Sequence, residues 1–214
     1  MGRSTLPLLS TNSLLYPFLT KDRRPNILFI AVDDLRPQLN CYGHQQMISP
    51  NIDRLAAQGM IFRRAYCQVP VCGASRASLL MGRRPTRSRF LDFTTRADVD
   101  CPNELSLPGY LKANGYHTIS NGKIFHHKDD YSGSWSELPW RPQGDWAKRG
   151  YLSEVNKKYV IDNKGAYGSA YENADVPDNV YSDGKVTDKS ITDLRKLKNT
   201  YKPFFLGVGY LKPH

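Results

Sequence analysis

No apolar run in the 214 residues approaches the roughly 18 that a membrane span needs; the longest convincing one, Ile27 to Val32, has six. A membrane partner is therefore not expected. Cysteine is scarce: Cys41, Cys67, Cys72 and Cys101 are too few for a disulfide scaffold, none falls in a C-x-x-C pattern, and the one C-x-x-H, Cys41 to His44, has no second pair to complete a zinc site. The redox compartment stays open. There is no N-x-Ser/Thr sequon, and the apolar patches Leu6 to Leu9 and Leu14 to Leu19 are broken by Pro7, Asn12 and Pro17 behind a single Arg3. That is a poor signal peptide, so residues 1–24 are read as an N-terminal tail. Leu6 stands where a myristoylation signal needs Ser or Thr, and no internal repeat occurs.

What is present is globular. Hydrophobic residues make up 40% and charged ones 23%, with 16 Gly and 14 Pro, which excludes disordered, collagen-like and coiled-coil chains and fits one α/β domain or part of one. The formal charge is +10, and it is concentrated: from Arg54 to Arg96 there are nine arginines, no lysine and one acid, Asp92. Such a surface suits nucleic acid, an anionic membrane or an anionic small substrate. Arginine over lysine fits bidentate binding of any oxyanion, sulfate and phosphate included, and composition does not choose among them.

Strands alternate with helices along the chain. Ile27–Val32, apolar at every position, predicts a central strand of a parallel sheet, ending at Asp33-Asp34. Ser49-Pro50 opens a helix with Asp53 near its positive end, a stripe of Ile52, Leu55 and Ala56, and Gly59 as its stop. A second helix is expected from Ala74 to Met81, with Cys72 just before it and Gly82 after. Pro108 to Ala113 predicts a third, and His117 to Ser120 a short strand leading to Asn121-Gly122. From Lys123 to about Lys185 little periodicity is visible, and a long surface excursion is expected. Thr187 is expected to cap a helix bearing Ile191, Leu194 and Leu197, and Phe204 to Val208 to form a third buried strand. The order implies an α/β fold with a mostly parallel sheet wound by right-handed crossovers. An ending at His214, directly after a buried strand, predicts a truncated domain, residues 25–214 being its N-terminal part.

In an open α/β sheet ligands bind beyond the carboxyl ends of the strands, which is where Asp33-Asp34 falls. Paired carboxylates there suit a hard divalent cation held by oxygen, or simply a turn that uses Asp as a cap. Cys72, at a helix start beside arginines, could be an activated nucleophile or a small buried hydrophobe.

The pattern Cys72-Gly73-Ala74-Ser75-Arg76 followed by Gly82-Arg83-Arg84-Pro85 has further blocks around it. They are Val32-Asp33-Asp34-Leu35-Arg36-Pro37, Cys41-Tyr42-Gly43, the Ser49-to-Asp53 helix start, Gly122-Lys123-Ile124-Phe125-His126, and the Pro203-to-Leu206 and Gly209-to-His214 segments. Together they resemble the type I sulfatases of the alkaline-phosphatase superfamily, closely over residues 25–126 and 203–214. The nearest resemblance is to the branch acting on 2-O-sulfated uronates of glycosaminoglycans. Ala74 stands where proline is commoner in the motif.

The resemblance implies that Cys72 is oxidised by a formylglycine-generating enzyme to an aldehyde. One hydroxyl of its hydrate displaces the alcohol of a sulfate ester, and deprotonation of the other then expels sulfate. It further implies Asp33, Asp34 and residue 72 as Ca²⁺ ligands and Arg76 as the residue holding the formylglycine oxygen. Lys123 and His126 would orient and activate the hydrate, and His214 would bind sulfate or protonate the leaving oxygen. A sulfated glycan is the implied substrate, not nucleic acid, and a lysosomal or secreted location is implied. His44 and His127 match no motif position. The family completes its metal site with an Asp-His or Asp-Asn pair and its sulfate clamp with a second lysine, which this sequence does not supply after His214, so the chain is expected to be incomplete. Two other readings compete: a non-catalytic holder of sulfated glycans, and a phosphodiesterase or phosphonate hydrolase of the same superfamily.

Overall fold

A computed structural model describes residues 24–143, 150–163, 169 and 171–214, so the proposed tail lies outside it apart from Arg24. Three strands, β1 (Ile27–Val32), β2 (His117–Gly122) and β3 (Phe204–Tyr210), form a parallel sheet in the order β1-β3-β2. Ile27 pairs with Phe205 and His117 with Phe204, so paired residues share a face and two helical layers can close on them.

On one face lie α2 (Cys72–Met81) and α4 (Leu107–Ala113). Ala74, Ala77 and Leu80 pack with Phe205, Ile124, Phe125 and Trp135, and Ile27, Phe29 and Ala31 are partly buried against them. On the other face lies α6 (Ser182–Leu197), whose Val186 and Leu197 pack on Ile119, Phe204, Leu206 and Val208. Burying each such large side chain is worth about 1.5–3 kcal/mol, which makes β3, buried along most of its length, the axis of the fold.

Several expectations change. Among the described residues β3 is the central strand and β1 lies at the edge of the sheet. All six β1 residues are apolar, but α6 covers only β3 and β2, so Leu28 and Ile30 on that face remain 47% and 50% exposed. Apolarity marks a strand without fixing its neighbours. The stripe on α1 (Pro50–Gln58) is likewise open, with Ile52 and Leu55 exposed. β2 continues through Asn121 to Gly122, and β3 to Tyr210. Helix α6 starts at Ser182, so Thr187 is not its cap: its hydroxyl bonds the Asp183 carbonyl one turn back, at 3.0 Å.

The supposed excursion after Lys123 is partly core. Ile124, Phe125 and Trp135 are buried, and the chain returns along β2, where the Ser136 and Trp140 amides donate to the Thr118 and Ser120 carbonyls at 2.8 and 2.9 Å. This return covers the outer edge of β2. Further on, α5 (Glu154–Asp162) is capped by Ser153, and Glu172 accepts from the Leu152 and Ser153 amides at 2.7 and 3.0 Å. A short helix, α3 (Ala97–Asp100), receives its cap from the buried Asp130, which accepts from the Ala97 and Asp98 amides.

Candidate active site

The carboxyl end of each strand delivers one polar residue to the same place. Asp33 follows β1, with its amide tied to the Tyr210 carbonyl at 3.1 Å; Lys123 follows β2; His214 lies beyond β3. Asp33 is buried, and its Oδ2 receives Lys123 Nζ at 2.5 Å and faces His214 Nδ1 at 3.6 Å. Its Oδ1 accepts from Arg76 Nη2 at 3.0 Å. Burial alone would raise the Asp33 carboxyl, but the Lys123 hydrogen bond and the charges of Arg76 and Lys123 hold it below the usual carboxylate range.

Lys123 reaches this position because two glycines let the backbones of β2 and β3 nearly touch. Gly122 has φ +77°, and a Cβ on it would lie 2.1 Å from the Gly209 carbonyl oxygen, while a Cβ on Gly209 would lie 2.0 Å from that of Lys123. The Lys123 amide then donates to Gly209 at 2.8 Å, and the chain crosses the end of β3.

Cys72 is the first residue of α2, not the residue before it, because Val71 is the extended cap. Its Sγ lies 3.3 Å from His126 Nδ1, at a helix end whose free amides favour negative charge. One turn along, the buried Arg76 points back across the crevice. Besides Asp33 it donates to the carbonyls of Lys123 and, at 3.0 Å, Ile124. His126 is pushed down to about 4, first by burial and then by the positive charges of Lys123, His127 and Arg141. A neutral imidazole beside position 72 can accept a proton there. His127 stands edge-on to His126 and bonds the Thr94 carbonyl at 3.2 Å.

Five of the seven predicted residues thus form one buried or half-buried group: Asp33, Cys72, Arg76, Lys123 and His126. His214 sits at its rim, 54% exposed. Asp34 stands apart from the ion pairs, exposed and with a left-handed φ of 57°. Adjacent hard carboxylates suit Ca²⁺ in kind, but Ca²⁺ takes about six to eight oxygen ligands. Among the described residues no group of three or more His, Cys, Asp or Glu stands in metal-holding geometry, and Asp33 is already engaged by two cations.

Two residues that hold this group in place carry no motif. Asp183, in the first turn of α6, accepts from the Leu211 amide at 2.9 Å and the Lys212 amide at 2.9 Å, anchoring the segment that ends in His214. Arg141 donates to the carbonyls of the segment that carries Lys123 and His126. The acid of a strand-end anchor and an arginine ahead of a proline are too common in sequence to signal either role.

The sequence matches the Sulfatase family profile over residues 25–214. It is 43% identical over 202 residues to iduronate 2-sulfatase of Mus musculus, a match covering 88% of this chain and 35% of that protein. The chain therefore spans about a third of the length of that relative. Among solved structures, one in complex with its substrate D-glucosamine-2-N,6-O-disulfate matches with a TM-score of 0.57 at 26% identity, over 90% of this chain and 35% of the other. A phosphonate monoester hydrolase of Agrobacterium radiobacter matches with a TM-score of 0.65 at 20% identity, over 89% and 41%, a likeness of fold alone. With the strand-end cluster, the sheet order and the profile in agreement, the chain belongs to the sulfatase family.

Proposed function

We propose that this chain is the nucleophile-bearing part of a sulfuric ester hydrolase that removes 2-O-sulfate from uronate residues of sulfated glycosaminoglycans. The observation that supports it most is the convergence of Cys72, His126, Lys123, Arg76 and Asp33 beyond the strand ends, in a family of sulfate-ester hydrolases. The likeness to iduronate 2-sulfatase supports the sugar assignment. Cys72 is the precursor of formylglycine, made by a formylglycine-generating enzyme, and the hydrated aldehyde supplies one oxygen to take the sulfuryl group and a second whose deprotonation releases sulfate. Asp33, Asp34 and residue 72 would hold Ca²⁺, which would neutralise charge on the sulfate oxygens.

The chain's own side chains do the rest. His126, neutral at physiological pH and 3.3 Å from the position 72 side chain, accepts the proton of an oxygen placed there. Lys123 and Arg76 bring two positive charges to the crevice against the one of Asp33, which favours a sulfate ester over a neutral ligand. His214, at the open rim, binds the sulfate or protonates the departing alcohol. A lysosomal or secreted location belongs to the same proposal.

The test is hydrolysis of a 2-sulfated uronate oligosaccharide by aldehyde-bearing protein with Ca²⁺ present. Release of sulfate that disappears in Cys72→Ala is expected. A preference for matched phosphate or phosphonate esters would select the competing phosphodiesterase or phosphonate-hydrolase reading. Glycan binding without release would mark a non-catalytic holder.

A further inference from the structure

Resting on the assignment of Lys123 and His126 to the site, we propose that Arg141 is a positioning residue that fixes His126 against position 72. From Gly122 to His126 the chain leaves β2 and crosses the sheet end without regular structure, so its carbonyls need other donors. Two arginines supply them. Arg76 takes the carbonyls of Lys123 and Ile124. Arg141 takes the other three: its Nε lies 3.3 Å from the Gly122 oxygen, and its Nη2 lies 2.8 Å from that of Phe125 and 3.0 Å from that of His126.

The division matters. Arg76 secures the half that carries Lys123, while the half that carries His126 is held by Arg141, from a segment docked on β2 through Trp140. A planar guanidinium offers five donors in a fixed fork, so one side chain can span carbonyls on both sides of the turn; an ammonium cannot hold the same separation. Burial and the charge of nearby Arg76 push Arg141 down to about 10, so it remains a cation at neutral pH. Its hydrogen bonds to this loop are to backbone oxygens, and through them it acts on His126 and so on position 72.

Three thiols of the same chain make the test internal. With Cys72 left as thiol, in protein made without the converting enzyme, its alkylation rate by iodoacetamide is followed by peptide mass spectrometry. Exposed Cys67 is the reference and buried Cys101 the reporter of unfolding. Arg141→Lys should slow Cys72 relative to Cys67 about fivefold, the factor one ordinary hydrogen bond is worth, with Cys101 still protected. His126→Ala should slow it similarly, and adding Arg141→Lys to His126→Ala should change nothing further.

An unchanged Cys72 rate in Arg141→Lys, or an equal extra slowing in the His126→Ala background, would overturn the proposal. If Cys101 opens in Arg141→Lys, Arg141→Gln is read in the same way. Opening in both variants would make Arg141 a structural group and also overturn it. No turnover enters these measurements, so a chain that hydrolyses no sulfate ester can still pass or fail them.

Discussion

Asp33 is the residue on which the site depends, because a single buried carboxylate faces two buried cations. Taking charges out of water is costly, and a buried pair adds little net stability, but removing one partner leaves the others uncompensated at about 3–5 kcal/mol. Asp33→Asn should therefore lower the unfolding free energy by about 3 kcal/mol in urea titrations, with Lys123 and Arg76 left facing an amide. A change within about 0.5 kcal/mol would mean the ion cluster is not formed in solution. At this scale the sequence was informative where chemistry is written into residue type. Asp33, Cys72, Arg76, Lys123 and His126 come together as their motifs imply, although Asp34, which belongs to the same motif as Asp33, does not join the ion pairs. Arg141 and Asp183 were not legible, because what they hold is backbone carbonyls and amides tens of positions away or contributed by another element, and any arginine or aspartate could be so used.

Among the elements, the β2–β3 crossing and the cap of α5 make separate claims. The near contact of Gly122 and Gly209 puts Lys123 over the end of β3, and its cost appears if a side chain is forced in. Gly209→Ala should destabilise the fold by about 2–4 kcal/mol, since an added methyl 2.0 Å from the Lys123 carbonyl oxygen requires the backbones to part. Thermal unfolding measures it, and an unchanged midpoint would show that the strands are not so close. Glu172 reports on α5. Burial would raise its carboxyl, but the Leu152 amide, the Ser153 hydroxyl and amide, and Asn156 bring it down to about 2. A carboxyl lowered on folding stabilises above its unfolded value of about 4.3 and loses that contribution as pH falls toward 2. The stability difference between wild type and Glu172→Gln should be constant above about pH 5 and vanish toward pH 2; a difference independent of pH would contradict the cap. Element existence was legible for β1, α1, α2, α4 and β3 from runs and punctuation. Element placement was not: β1 and β3 are equally apolar, and only the packing of α6 over β3 and β2 makes β3 central.

For the whole molecule, the charge of +10 and the exposed arginines between α2 and Phe90 describe a surface that attracts polyanions at long range. Arg83 is paired with Glu104, whereas Arg84 and Arg87 face outward on the turn that follows α2. Replacing Arg84 and Arg87 by Gln should lower the salt needed to elute the chain from a sulfated polysaccharide column, since each contact to a polyanion adds to the salt dependence. Unchanged elution would place the polyanion elsewhere. The central claim is that the strand-end crevice is built around a nucleophile made from Cys72, and the peptide from Ala65 to Arg76 tests it most directly, because it contains both Cys67 and Cys72. Mass spectrometry of protein made in cells with the formylglycine-generating enzyme should find the aldehyde at Cys72, trapped by a hydrazide, and thiol at Cys67. Thiol at both positions, with a control sulfatase fully converted in the same cells, would contradict the account.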